Sequence, residues 1–273
     1  MSLAEIFEKE FCAYSDVKKR SEITKVEVNQ IQNDEILEIE PKLIHSFDDY
    51  DFHPQLIQNF KECFCQEPSL IQKAFWNLAL NGLTNVMVTT PTDSGNAFTY
   101  LVPMIQRVIQ LKDIFVRRLC QDDQTASKSN HAPLAIIFVS TKKIEDEISE
   151  AAKVLSENIS EVSVTSSSHQ GKFTGGSDIH VTTVKGLQRF IEEDIENKKF
   201  KRMALDSCMF TVFDKAEKIF QDKNCQNELE EILEEISRAK PQMKMYAFGS
   251  KLTKRVEEYM EDNYFKVNGL VEE

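Results

Sequence analysis

The fold of this chain is decided by residues 85–106, NVMVTTPTDSGNAFTYLVPMIQ. NVMVTT is rich in apolar and β-branched side chains and predicts a buried strand, whereas the apolar residues of AFTYLVPMIQ recur at helical spacing. The loop between them joins an apolar strand to an amphipathic helix, which is the place of a phosphate-binding loop. This stretch therefore predicts one strand–loop–helix unit of a nucleotide-binding α/β fold.

Strand and helix patterns continue to alternate on the C-terminal side of this unit. Further strands are predicted for LAIIFVS (134–140), VSVTSS (162–167), DIHVTT (178–183), MALDSC (203–208) and MKMYAFGS (243–250), with helical patterns between most of them. Such alternation predicts a mostly parallel sheet with helices on both faces. Ligands are then expected beyond the carboxyl ends of the strands.

The N-terminal residues 1–45 lack a sustained apolar period. Within them, residues 25–44, KVEVNQIQNDEILEIEPKLI, alternate weakly, which indicates either strand-like segments or an arm that depends on a partner. The sequence thus predicts an extension at 1–45 followed by one domain at 46–273.

Composition narrows the class of protein. The net charge of −12, from 45 acids against 33 bases, disfavours broad nucleic-acid binding but allows a local basic groove. No stretch approaches the ~20 apolar residues of a membrane span, and the N-terminus carries acids where a signal peptide is apolar. A soluble intracellular protein is expected. The six scattered cysteines predict buried thiols rather than a metal site.

The candidate phosphate loop departs from the pattern that its chemistry needs. Such a loop presents backbone N–H groups to phosphates, a Lys to the outer phosphates, and a Ser or Thr hydroxyl to magnesium. Here those two side-chain positions are Asn96 and Ala97, and Asp93 replaces the first glycine. Only Gly95 is kept, and the Asp93 carboxylate would repel phosphate.

The order and spacing of the surrounding segments resemble the first RecA-like domain of DEAD-box RNA helicases over residues 47–268. Residues 46–72 resemble the family's Q motif, which implies that Phe47 stacks on adenine and that Gln72 hydrogen-bonds to it. The alternatives are a core anchor at Phe47 and a helix-surface amide at Gln72. If nucleotide binding is retained, the resemblance implies these contact residues: Phe47, Gln72, Thr92, Gly95 and Asn96.

Two further segments resemble the family's RNA-contacting motifs. FVSTKKIEDEI (138–148) takes the place of the Pro-Thr-Arg-Glu-Leu segment, and VTTVKGLQRF (181–190) that of Thr-Pro-Gly-Arg, with glycine in place of the arginine. The resemblance implies these RNA-contact candidates: Thr141, Lys142, Lys143, Thr183 and Lys185.

The Asp-Glu-Ala-Asp segment is assigned to the start of MALDSCMFTVFDKAEKIF (203–220). The resemblance implies that Asp206 approaches magnesium if that ion binds, that Ser207 replaces the water-positioning Glu, and that Met209 replaces the last Asp. In the family that Asp couples nucleotide state to a Ser-Ala-Thr segment, which is Phe-Gly-Ser at 248–250 here.

These replacements predict a degenerate domain without catalysis. Losing one preorganised charge-stabilising donor commonly costs about 100- to 1000-fold in rate, and at least three such roles are replaced. No cofactor is expected, with ATP and magnesium as the open alternative. The predicted function is a protein-interaction or RNA-positioning module in RNA metabolism.

Two alternatives stay open. One is a weak ATP-binding RNA helicase domain that uses Asp206. The other is an RNA clamp built from the following cations: Lys142, Lys143, Lys185, Lys251, Lys254 and Arg255.

A protein partner is expected and RNA is a candidate ligand. DNA and membranes are not expected as partners, and the oligomeric state is left open. The degeneracy also resembles that of the Yb-type Tudor-helicase proteins of the germline piRNA pathway, which implies cytoplasmic ribonucleoprotein granules.

Overall fold

The computed structural model describes residues 23–33, 35–63, 67–81, 85–90, 96–121, 133–168, 177–189, 208–239, 243–251, 253–260 and 263–270. Its strands are β1 Lys25–Gln32, β2 Glu35–Ile39, β3 Asn85–Thr89, β4 Ala135–Phe138, β5 Val164–Ser166, β6 Ile179–Thr182, β7 Phe210–Asp214, β8 Lys244–Gly249 and β9 Asn263–Leu270. Its helices are α1 Pro54–Glu62, α2 Leu70–Asn81, α3 Asn96–Gln121, α4 Lys142–Leu155, α5 Ala216–Gln221, α6 Gln226–Ala239 and α7 Lys254–Glu258. A further helical turn covers residues 184–189.

The nine described strands form one sheet in the order β2-β1-β9-β3-β8-β7-β4-β6-β5. All neighbours from β9 to β5 are parallel, whereas β1 runs antiparallel to both β9 and β2. The predicted α/β class, a mostly parallel sheet covered on both faces, is confirmed.

Alternation along the central strands divides the core between the two faces of the sheet. In β3, Val86 and Val88 pack into one apolar cluster and Met87 into the other. Trp76 of α2 is fully buried in the first cluster, and its Nε1–H donates to the Thr99 carbonyl at 2.9 Å. Each face thus has its own layer of helices, as buried parallel strands require.

Part of the predicted N-terminal extension belongs to this sheet. β1 pairs with β9 from Lys25↔Leu270 to Gln32↔Asn263, and a two-residue turn that begins at Asn33 leads into β2. Asn33 takes a positive φ of 49°, which asparagine tolerates in such hairpin turns. The strand interpretation of residues 25–44 is confirmed over β1 and β2, and the domain boundary after residue 45 stays a prediction.

One strand lies further along the chain than predicted. The strand between β4 and β8 is β7, Phe210–Asp214, and not MALDSC at 203–208. Residues 203–207 lie outside the described residues, and Cys208 precedes the strand. All five residues of FTVFD are buried, and its aromatic and β-branched side chains suit the sheet interior.

Two remaining expectations concern cysteines and membranes. The described cysteines, Cys63, Cys208 and Cys225, are buried thiols that form no disulfide, which confirms the prediction at these positions. Cys12, Cys65 and Cys120 lie outside the described side chains. Among the described helices, none combines the length and the apolar character that crossing a membrane demands.

Candidate functional site

The carboxyl ends of the parallel strands lie side by side and form one edge of the sheet, the carboxyl edge. A cavity of about 300 Å³ lies at this edge. The loops after β4 and β6 and helix α5 after β7 line it, so it occupies the region beyond the carboxyl ends of the strands where open α/β sheets bind ligands. We call it the edge cavity. Four cationic side chains contribute to its wall: Lys142, Lys185, Arg189 and Lys218.

The loop after β4 brings two predicted RNA-contact residues to the edge cavity. Thr141 caps helix α4, because its side-chain oxygen accepts the Ile144 N–H at 3.3 Å, and Lys142 follows as the first helical residue. Both line the cavity. Lys143 does not: its side chain is 87% exposed and lies 3.8 Å from Glu147 along the helix.

The loop after β6 supplies the opposite wall with Thr183 and Lys185. The Thr183 hydroxyl accepts the Gly186 N–H at 3.1 Å, which begins the helical turn at 184–189. A Cβ on Gly186 would lie 2.8 Å from Thr182 Oγ1 and 3.0 Å from Ser167 Cβ. The close approach of this turn to β5 and β6 therefore requires glycine.

Glu145 lies at the base of the edge cavity and was not predicted. It is 2% exposed and lies one helical turn after Thr141, the N-cap residue of α4. Its Oε1 accepts the Ser168 N–H at 2.5 Å, and the Thr183 backbone also donates to it. Burial raises the pKa of Glu145, and these backbone donors oppose that rise. One buried carboxylate thus joins α4 to the loops after β5 and β6.

The end of β7 places three charged residues next to each other. Asp214 is buried, which raises the pKa of its carboxyl to about 6 despite the charge of Lys215. Lys215 takes a left-handed conformation (φ 56°, ψ 52°) and precedes the first residue of α5. On that helix, Glu217 Oε1 faces the Ser250 hydroxyl across a long contact of 3.5 Å.

The structure describes only part of the segment to which Asp-Glu-Ala-Asp is assigned from the sequence, and that assignment stays a prediction. Asp206 and Ser207 lie outside the described residues, and Met209 lies at the amino end of β7, on the opposite edge of the sheet from the edge cavity. The Met209 N–H donates to the Leu134 carbonyl at 2.8 Å, and its carbonyl accepts the Lys244 N–H. Asp214, eight residues after Asp206, is the acid that ends the strand.

Phe47 belongs to an aromatic cluster beside α2. Its ring centroid lies 5.9 Å from that of Phe52, 5.5 Å from Phe60 and 6.0 Å from Trp76. The Lys61 ammonium lies 5.4 Å from the Phe47 centroid. Phe47 is half-buried, so it anchors the segment before α1 while part of its surface stays accessible.

Gln72 closes the N-terminus of α2. Its Oε1 accepts the Ser69 N–H at 2.8 Å, and the Gln72 N–H reaches the Ser69 hydroxyl at 3.4 Å, which together form a capping box. Gln72 is only 6% exposed, so it is not a helix-surface amide. The side-chain carbonyl oxygen of Gln72 is already the acceptor of the Ser69 N–H. The contact between Gln72 and adenine therefore stays a prediction.

Residues 69–258 match the family model described as DEAD/DEAH box helicase, which is more than half of the chain. The chain belongs to the DEAD/DEAH box helicase family. Its fold is similar to that of solved structures. The yeast DEAD-box splicing factor Prp28 is 17% identical with a TM-score of 0.65, over 86% of this chain and 53% of Prp28.

Two further helicase structures agree with this assignment. The RNA helicase Prp28 from Chaetomium thermophilum, bound to ADP, is 16% identical with a TM-score of 0.62, over 89% of this chain and 54% of the other. A DEAD box protein from the hyperthermophile Methanococcus jannaschii is 15% identical with a TM-score of 0.63, over 84% and 57%. These likenesses establish the RecA-like fold, and the chain spans about half the length of each structure. None of the curated proteins matches it.

Four residues at the end of β7 are similar to the segment for which the family is named. Residues 214–217 are Asp-Lys-Ala-Glu, where the family is named for Asp-Glu-Ala-Asp. The first and third residues are identical, the last is still an acid, and only Lys215 reverses the charge of its position. It begins eight residues after Asp206, and it shares more residues with Asp-Glu-Ala-Asp than residues 206–209 do.

The candidate phosphate loop falls mainly outside the described residues, which include neither Thr92 nor Asp93 nor Gly95. Asn96 is the first residue of α3, and its side chain lies outside the described part. Ala97 is 4% exposed and packs in the core. Across the described residues, no group of three or more His, Cys, Asp or Glu side chains is placed to hold a metal ion.

Proposed function

We propose that this chain is a catalytically inactive helicase-like domain that positions RNA through the edge cavity. The single observation that carries the proposal is Lys215, which directly follows the strand-ending Asp214 where the family has glutamate. A domain that binds RNA without hydrolysing ATP would act by holding the RNA in place. We also expect it to bind a protein partner.

Inactivity is supported by three replacements. A glutamate carboxylate can accept a proton and orient an attacking water, whereas the Lys215 ammonium can only donate hydrogen bonds. The Ala97 side chain has no hydroxyl for magnesium and is turned into the core, and Asn96 replaces the lysine of the outer phosphates. These residues do not fit a magnesium–nucleotide complex. Losing one such role commonly costs about 100- to 1000-fold in rate.

RNA positioning is supported by the cations of the edge cavity. Lys142, Lys185, Arg189 and Lys218 are all exposed there, although the whole chain carries a net charge of −12. Such local cations can contact successive phosphates and release counterions. Four members of the predicted clamp do not line this cavity: Lys143, Lys251, Lys254 and Arg255. Among them, Lys143 faces Glu147, and Arg255 pairs with Glu230 at 2.9 Å.

The narrower resemblance to the Yb-type Tudor-helicase proteins is retained as part of the proposal. A domain that has lost turnover and kept a binding cavity suits a scaffold in cytoplasmic ribonucleoprotein granules. Lys215, at the position where the family has glutamate, supports this proposal.

Two measurements test the proposed function. The first is ATP hydrolysis by the chain with saturating single-stranded RNA, and measurable turnover that disappears in D214N would contradict inactivity. The second is the affinity for a short labelled RNA across a salt series. We expect the double substitution Lys142→Glu and Lys185→Glu to abolish binding, because it reverses two cavity charges.

The matched control is the double substitution Lys251→Glu and Lys254→Glu, which changes exposed lysines that do not line the edge cavity. It should leave most of the affinity in place. Equal losses in both double variants, or affinity independent of salt, would show that the edge cavity does not position RNA.

A further inference from the structure

The strand β2 is an edge strand: it is the outermost strand on one side of the sheet. Within the described part of the chain it pairs with β1 on one side, and no strand pairs with its other side. An edge strand of this kind directs alternate N–H and C=O groups away from the sheet, where an added strand can bind them. β2 therefore has the backbone geometry of a docking site for an extended segment.

The side chains of β2 make this edge unusually apolar. Ile36 is 69% exposed and Leu37 is 47% exposed, which places both among the most exposed large hydrophobic residues of the described part. They lie on opposite faces of the sheet, because Ile36 is paired with Ile31 of β1 and Leu37 with Gln30. A strand added beside β2 would place its own side chains next to both residues.

The charges of β2 and the residue after it indicate which charge a partner strand should carry. Glu35, Glu38 and Glu40 are exposed, and among the described residues no lysine or arginine forms an ion pair with them. Acids on a short edge strand disfavour pairing with another acidic strand, including the β2 of a second copy. They favour a strand that carries lysine or arginine at cross-strand positions.

We propose that β2 docks an extended segment of a partner protein, in which two neighbouring apolar residues have lysine or arginine on either side, by adding it as a further strand. This order gives each face of the added strand one cation and one apolar side chain, as β2 has one acid and one apolar side chain on each face. The backbone of that segment would bind the outer N–H and C=O groups of β2. Its apolar side chains would cover Ile36 and Leu37, and its cations would lie beside Glu35 and Glu38. This site is separate from the edge cavity, since β1, β9, β3, β8 and β7 lie between β2 and β4 in the sheet.

The test uses the full chain and a fluorescent peptide of about ten residues that repeats the order Lys-Val-Val-Lys, a length that suits strand addition. Fluorescence anisotropy measures its affinity at physiological salt. We expect binding, and we expect the double substitution Glu35→Lys and Glu38→Lys to weaken it at least about tenfold, because two attractive cross-strand pairs become repulsive.

A matched control is available on helix α6. Glu231 and Glu234 are exposed glutamates with the same spacing as Glu35 and Glu38, so the double substitution Glu231→Lys and Glu234→Lys changes the net charge equally. It should leave the affinity of the peptide nearly unchanged. Equal weakening by both double variants would overturn the proposal, because it would show attraction to the overall negative charge alone.

Two further measurements separate strand addition from other modes of binding. A peptide N-methylated at every residue has no N–H donor along either edge, so it should lose binding, and undiminished affinity would overturn the proposal. Sedimentation of the wild-type chain should show no dimer that depends on β2. A dimer that is absent in the variant carrying Ile36→Lys and Leu37→Lys would assign this edge to a second copy instead.

Discussion

The Glu145 carboxylate accepts the Ser168 backbone N–H at 2.5 Å, and this bond ties helix α4 to the loop after β5 at the base of the edge cavity. Because Thr183 also donates its backbone to the same carboxylate, three segments depend on one buried acid. The shape of the edge cavity therefore depends on Glu145, a residue that none of the sequence motifs singles out.

We expect Glu145→Ala to lower the free energy of unfolding by roughly 1–3 kcal/mol, because it leaves two partly buried N–H groups without their acceptor. Urea denaturation measures this loss, and Glu145→Gln should recover part of it through its remaining carbonyl oxygen. Glu150→Ala on the same helix, where Glu150 faces Lys153 at 3.8 Å on the surface, should change stability little. Similar losses at both positions would contradict the role of Glu145.

The buried Asp214 predicts a pH dependence of stability. Its folded pKa of about 6 lies above the ordinary value of 3.8, so the folded state holds the proton more tightly than the unfolded chain does. The ionised carboxylate is therefore a cost at neutral pH that is relieved as pH falls through 6 toward 4.

Asp214→Asn removes this cost, so it should stabilise the chain at pH 7.5 by up to about 3 kcal/mol and have little effect at pH 4. Urea denaturation at both values measures the difference between variant and wild type. A gain that is the same at both pH values would mean that ionisation of Asp214 is not responsible.

The capping box of α2 allows the two roles of Gln72 to be separated. Ser69→Ala should cost about 1 kcal/mol of stability through loss of the cap. If capping is the whole role of Gln72, the thermal midpoint of the wild-type chain should not shift with millimolar ATP, ADP or AMP plus magnesium. A shift that is lost in Gln72→Ala but kept in Ser69→Ala would instead establish the predicted adenine contact.

Gly186 lies in a turn that excludes a side chain. We expect Gly186→Ala to destabilise the chain by roughly 1–3 kcal/mol, because its Cβ would lie 2.8 Å from Thr182 Oγ1 and force the turn away from β6. Thermal denaturation measures the effect, and Lys185→Ala, at the exposed neighbouring position, serves as the control. An unchanged midpoint in Gly186→Ala would show that the turn moves freely.

Local pattern predicted most of the strands, and it misplaced one of them. Val86 and Ile136 lie in apolar runs bounded by turns, and both fall in strands near their predicted positions. MALDSC and FTVFD are both short runs with apolar content, and nothing local chooses between them. Pairing with β4 and β8 selects FTVFD, because its five residues can all be buried between neighbouring strands.

The sequence by itself determined the α/β class, the family and the cations near the ends of β4 and β6, because these depend on residue order and on short-range periodicity. Tertiary structure alone decided that β1 pairs with β9 across more than 230 residues of chain, as in Lys25↔Leu270. It also placed Asp214 at the carboxyl end of β7, and it brought Glu145 to the backbone of Ser168. Contacts between distant segments carry no local signal, since they arise only when packing the two faces of the sheet fixes which strands are neighbours.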